Sequence, residues 1–107
     1  MPIPTQIDAV SVLCKANVYF DGNVISHVLQ HANGEKQTLG LIRPGEYVFG
    51  TAAPERMDIV AGKCSVRIAG ETEWQEYATG ETFHVPGDSQ FEISVAEGLC
   101  EYLCSFG

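Results

Sequence analysis

The residues best suited to chemistry lie in PGEYVFGTAAPERMDIVAG, residues 44–62. This stretch alternates apolar and polar positions, turns between Gly50 and Pro54, and alternates again as far as Gly62. One carboxylate, Glu55, stands at the exit of the turn, and Tyr47 and Phe49 share a parity on the run before it. A carboxylate among aromatic rings can accept hydroxyl hydrogens or stabilise a developing cation, but alone it is a poor transition-metal site. A merely solvated carboxylate is also ordinary after a proline at a strand start. His27 and His31 have the H-x3-H spacing that would share one face of a helix. Their segment instead alternates like a strand and ends in Asn33-Gly34, a hairpin signal, so the two rings are too far apart for one metal. They are read as surface or half-buried histidines. His84, in ETFHVP, faces away from Phe83 and Val85 and is either a lining residue or exposed.

Charge limits the partners. The formal net charge is −8, and the permanent cations are Lys15, Lys36, Lys63, Arg43, Arg56 and Arg67. So acidic a chain does not suit a phosphate backbone, and nucleic acid is excluded as a partner. A small phosphate would need some of these cations or a set of backbone N–H groups. No apolar run reaches the roughly 20 residues of a membrane span. The start, MPIPTQIDAVSVLCKA, lacks a basic head followed by an apolar block, so it does not read as a signal peptide, and the expected location is cytoplasmic. Cys14, Cys64, Cys100 and Cys104 lack the C-x2-C spacing of a structural zinc site and are read as small buried hydrophobes.

The elements that must position these residues are strands. Period-2 alternation runs through VISHVL, KCSVRIA, QFEISVA and LCEYLC. Turn signals at Asp21-Gly22, Asn33-Gly34, Pro44-Gly45, Gly50, Gly62, Gly70, Gly80, Pro86-Gly87 and Gly98 separate them. Residues 7–14 fit either a helix or a strand, and the β-branched Val10 and Val12 favour a strand. No segment carries a three-turn helical stripe. With 107 residues the chain is expected to form a single all-β domain, a sandwich or barrel.

Two blocks resemble the cupin signatures. Glu55 is followed by Gly62 at the spacing of the first motif, with Tyr47 and Phe49 near its paired histidines. Gly80 is followed by Pro86 at the spacing of the second motif, where Phe91 replaces the remaining histidine and Val95 the closing asparagine. The frame of the barrel is kept and the histidine ligands are gone. Together with Trp74, GETFHVPGDSQF and the ending YLC, this pattern is similar to the pyrimidine/purine nucleoside phosphorylase family of small single-domain cupins. The similarity covers residues 17–106, which leaves residues 1–16 as an N-terminal extension or added strand.

The resemblance implies a cupin-type double-stranded β-helix, two antiparallel sheets forming a jelly-roll-like barrel. It further implies a homodimer that needs no metal or cofactor. The implied activity is phosphorolysis of purine and pyrimidine ribonucleosides to free base and ribose 1-phosphate, with inorganic phosphate as co-substrate. On this reading Glu55 is catalytic, binding ribose hydroxyls or stabilising the sugar cation. Tyr47, Phe49 and Phe91 line the base pocket, Thr51 and Ser89 are hydroxyl partners, and Lys36 and Arg43 hold phosphate. Stacking on aromatic rings would tolerate many bases, because every base has a π-face. Plain core packing is the competing reading of Phe49 and Phe91. The alternative function is a non-catalytic, metal-free cupin that binds a nucleoside, sugar or other small polar ligand.

Overall fold

Wherever apolar residues recur at every second position, the chain runs extended, with its apolar set turned to one side. The computed structural model describes residues 3–107. The strands are β1 (Val10–Val12), β2 (Asn17–Tyr19), β3 (Val24–His31), β4 (Lys36–Ile42), β5 (Gly45–Thr51) and β6 (Glu55–Ala61). They continue as β7 (Lys63–Ile68), β8 (Gln75–Ala78), β9 (Thr82–Val85), β10 (Ser89–Val95) and β11 (Cys100–Phe106). The one helical turn among the described residues is a 3-10 turn at Phe20–Gly22. None of the described helical structure is long and apolar enough to cross a membrane.

The strands form two antiparallel sheets. The larger has seven strands in the order β1-β3-β4-β11-β6-β9, with β2 also on β3, and the smaller is β5-β10-β7-β8. The core lies between them. Phe91, Ile93 and Val95 of β10 are buried there, as are Cys100, Tyr102 and Cys104 of β11 and Met57 and Ile59 of β6. Burying one face of each strand fixes the register, because a one-residue slip would turn every apolar side chain to solvent.

Residues 7–14, expected to be extended, contain only the short β1, which pairs with β3 through Val10↔His31. β2 pairs with the other end of the same strand, through Asn17↔Ser26. Both therefore close onto their own sheet. The segment before β1 lies over the outer face of the larger sheet. A cavity there is lined by Pro4, Ile7, Val10, Val12, Ile25 and Leu29, among others. This explains why Leu29, on the face opposite Val24 and Ser26, is also buried. The cysteines divide: Cys64, Cys100 and Cys104 are buried, whereas Cys14, expected inside, is exposed in the link between β1 and β2.

Gly62 turns β6 into β7 at φ +86, and a Cβ there would collide with the Leu99 carbonyl oxygen. Both the left-handed backbone and the contact exclude a side chain. Gly62→Ala should therefore destabilise the protein by about 3 kcal/mol. At Gly50 the nearest atom to an added Cβ is 4.0 Å away, so Gly50→Ala should stay within about 1 kcal/mol of the parent. Urea unfolding of the two variants measures the contrast.

Candidate functional site

The site is assembled by the loops that deliver β6 and β10. Thr51 ends β5, and its hydroxyl donates to the Pro86 carbonyl oxygen at 2.7 Å and accepts the Ser89 N–H at 3.1 Å. The Asp88 N–H donates to the Ala52 carbonyl oxygen at 3.1 Å. This stitch locks the turn after β5 to the turn before β10 and so fixes where β6 begins. β6 begins with Glu55, which pairs with Val85 of β9 and Phe106 of β11. By alternation Glu55, Met57 and Ile59 face the space between the sheets.

That space is packed at one end and open at the other. The open end is a cavity of about 640 Å3. Ser26, Thr38, Met57, Tyr102 and Cys104 line it from the larger sheet, and Phe49, Gly50 and Phe91 from the smaller. Phe49 and Phe91 stack at 5.6 Å with 25° between their planes. Phe20 stands edge-on to Phe49 at 5.4 Å, and Tyr19 edge-on to the same ring at 6.2 Å. Phe20 and Asp21 hold φ values of 52 and 56, a left-handed pair without glycine. Such strain persists only where the surroundings hold it, and here it seats Phe20 against Tyr47 and Phe49.

Among the described residues Glu55 is the only carboxylate lining the cavity, and no lysine or arginine lines it. Burial raises its pKa above the ordinary carboxylate value, and a hydrogen bond with Cys104 works against that rise. Burial, followed by the charge of Glu55, pushes the Cys104 thiol up to about 12, while Thr38 opposes the shift through a hydrogen bond. Burial likewise pushes the Tyr102 hydroxyl up to about 12 despite its bond with Ser26. The Tyr102 hydroxyl has room because residue 40 is glycine, where a Cβ would stand 2.7 Å from it. Thiol and phenol are therefore uncharged donors at neutral pH.

The structure brings together Glu55, Phe49 and Phe91 of the residues expected from the sequence. Tyr47 lies in the packed core, its hydroxyl donating to the carbonyl oxygens of Arg43 and Pro44 at 2.9 and 3.0 Å. Thr51 and Ser89 are bound to each other in the stitch beside the cavity. Lys36 and Arg43 stand at and just beyond opposite ends of β4, about 23 Å apart along the strand. Lys36 shares the inward parity of Thr38 and lies in the row of Glu55, since Gln37 pairs with Ser105 and Glu55 with Phe106. Sequence reasoning gave no role to Tyr19, Phe20, Ser26, Thr38, Tyr102 or Cys104. The alternation of LCEYLC does place Tyr102 and Cys104 on one face; the Tyr19-Phe20 pair has no periodic signal.

His27 and His31 lie on the outer face of β3 and are used separately. His27 Nδ1 is 3.1 Å from the Leu13 carbonyl oxygen, and His31 Nε2 is 2.6 Å from Gln37 Oε1. A transition metal does not fit the cavity: among the described residues no three His, Cys, Asp or Glu side chains are grouped to hold an ion, and one carboxylate with a protonated thiol is a poor donor set.

The architecture defines a cupin. A cupin of Methanocaldococcus jannaschii with a double-stranded β-helix fold superposes with a TM-score of 0.66 at 12% identity, over 87% of this chain and 88% of its own. Within that class the chain belongs to the pyrimidine/purine nucleoside phosphorylase family, whose model matches residues 14–106. A pyrimidine/purine nucleoside phosphorylase of Burkholderia vietnamiensis is 51% identical over 106 residues, 99% of each chain, so the likeness extends to the N-terminal segment. A protein of unknown function from Acinetobacter sp. ADP1 superposes with a TM-score of 0.94 at 43% identity, over 97% of this chain and all of its own.

The raised pKa of Glu55 has a stability consequence. The folded state holds this proton more tightly than the unfolded state, so ionisation opposes folding. The loss develops as pH rises from the ordinary carboxylate range through the raised folded value, and is complete above it. Glu55→Gln should accordingly raise Tm at about pH 8, and the gain should vanish below about pH 3.5, where Glu55 is neutral in both states. Thermal unfolding at the two pH values tests this.

Proposed function

We propose that the protein phosphorolyses purine and pyrimidine ribonucleosides, giving free base and ribose 1-phosphate. Family membership supports the reaction, and one observation carries the assignment to this cavity: a lone, half-buried carboxylate among aromatic rings. The C1′–N bond breaks with its electron pair leaving on the base, and an oxygen of hydrogen phosphate bonds to C1′. The proton of hydrogen phosphate balances the base nitrogen. Positive charge grows on the sugar in the transition state, and Glu55 faces it as a fixed, half-buried anion. In the ground state the same carboxylate accepts ribose hydroxyls.

Phe49 and Phe91 provide the stacking surface, with Tyr19 and Phe20 at its edge. Stacking reads no particular base edge, which accounts for activity on both purines and pyrimidines. Lys36 holds phosphate at the rim. It and Glu55 lie two strand spacings apart, with β11 between them, or about 10 Å, room for a ribose between anion and carboxylate. Arg43 cannot share that anion within one chain. Thr51 and Ser89 act through the stitch that sets the start of β6.

The chain acts as a cytoplasmic homodimer in this reading. The outer face of the larger sheet carries Val12 and Leu39 at 53% and 43% exposure, beside the half-buried Ile25, Leu41 and Val60. A contiguous apolar face of this kind marks an association surface. Leu39→Asp should convert the dimer to a monomer in sedimentation analysis; a dimer of unchanged affinity would place the contact elsewhere.

Pure protein incubated with uridine, guanosine or inosine and phosphate should yield ribose 1-phosphate, detectable by 31P NMR. Folded protein that turns over none of them would overturn the proposal, and stabilisation by nucleoside without turnover would make the cupin a binding module. Glu55→Gln should lower kcat by roughly 100-fold or more, the scale of losing one transition-state charge partner. Lys36→Ala should raise KM for phosphate by about tenfold while changing KM for nucleoside little.

A further inference from the structure

We propose that Tyr102 and Ser26 set the base tolerance of the site: their hydroxyls form a floor that meets the far edge of the base and turns to suit either a keto or an amino group. The proposal rests on the nucleoside reading given above and names the residues that read the base. The floor is one row of the larger sheet. Ser26 pairs with Gly40 across β3 and β4, and Gly40 pairs with Tyr102 across β4 and β11. A Cβ at residue 40 would stand 2.7 Å from the Tyr102 hydroxyl oxygen and 2.8 Å from its Cζ. The end of the phenol ring therefore lies over Gly40, beside the position that Ser26 takes on the next strand.

This row is deep in the cavity. Ser26 and Tyr102 line it, and they are 3% and 7% exposed. Glu55 pairs with Phe106, four residues beyond Tyr102 on β11, so the two rows are about 13 Å apart along the strands. With its ribose at Glu55 and its base against Phe49 and Phe91, a nucleoside points the base edge remote from the sugar at this floor. On that edge hypoxanthine and uracil present a carbonyl beside an N–H. Adenine and cytosine present an amino group beside a bare ring nitrogen, the same pattern with donor and acceptor exchanged.

The lining suits that exchange. Among the described residues, the polar side chains of the cavity apart from Glu55 are the hydroxyls of Tyr19, Ser26, Thr38 and Tyr102 and the Cys104 thiol. No side-chain amide, imidazole or guanidinium lines it. Such groups have fixed donors, so they reject a base whose pattern is reversed, because a buried polar group is then left unpaired. A hydroxyl has one hydrogen and two lone pairs and rotates to suit its partner. Ser26 Oγ accepts the Asn17 side-chain amide at 3.4 Å, which steadies the oxygen and leaves its own hydrogen to give. A pyrimidine reaches less deeply than a purine, so the contrast is sharpest with purines.

The test compares wild type, Tyr102→Phe and Ser26→Ala, each first shown to be folded by its unfolding midpoint. Calorimetric titration without phosphate measures the affinity of each for inosine, adenosine and purine riboside, which has neither group at C6. Wild type should bind inosine and adenosine within about threefold of each other, and each about tenfold more tightly than purine riboside, the scale of one hydrogen bond. Both variants should cut that advantage to about threefold or less while changing the affinity for purine riboside little. A substitution that merely loosened the cavity would weaken all three nucleosides alike. Affinity ratios that are the same in all three proteins would overturn the proposal, as would a wild type that separates inosine from adenosine by about a hundredfold. A wild type that binds none of the three would overturn it as well. Absence of turnover with phosphate would strike the phosphorolysis reading instead, while the affinity ratios still decide the role of the floor.

Discussion

A carboxylate in a cavity lined by no lysine or arginine among the described residues constrains everything around it. Burial disfavours its charged form, so the fold must supply donors, leave an opening for polar substrate and prevent the side chain from swinging out to water. Pairing of Glu55 with both Val85 and Phe106 holds its backbone from two sides and so fixes the inward direction from which the side chain starts. Phe49, Phe91 and Phe20 line the open end of the cavity.

Packing one end of the barrel makes the cavity at the other end possible. Ile42, Ile59, Val66 and Ile93 are almost completely buried and hold the sheets together. Tyr47 belongs to that packed end although it shares a strand face with Phe49. Its ring packs against Phe20 at 5.0 Å, and its hydroxyl ties the turn before β5 to the same strand. The left-handed Phe20 and Asp21 are thus supported from the core side. Substrate would meet a surface whose strain is already balanced, which keeps the rings in place without a ligand.

The sheets were legible in the sequence because period-2 alternation and glycine turns are local signals. Glu55, Phe49 and Phe91, which the structure brings to one cavity, occupy positions of a barrel motif whose spacing survives. The role of Thr51 could not be read, since its partners Pro86 and Ser89 lie more than thirty residues along the chain. Parity alone gave Tyr47 and Phe49 one role, but the cavity fills only one end of their strand. Lys36 and Arg43 became alternatives only once a single strand separated them. The Tyr19-Phe20 pair belongs to a three-residue strand and a strained turn, and neither leaves a periodic trace. Cys14, read as buried from its residue type, is exposed because β1 ends before it.

The central claim is that phosphate, and not water, attacks the sugar in this cavity. Turnover in 18O-enriched water tests it directly, with the sugar product analysed by mass spectrometry. The account predicts ribose 1-phosphate whose anomeric oxygen carries no label, formed only when phosphate is present. Free ribose carrying 18O, released at the same rate without phosphate, would contradict it.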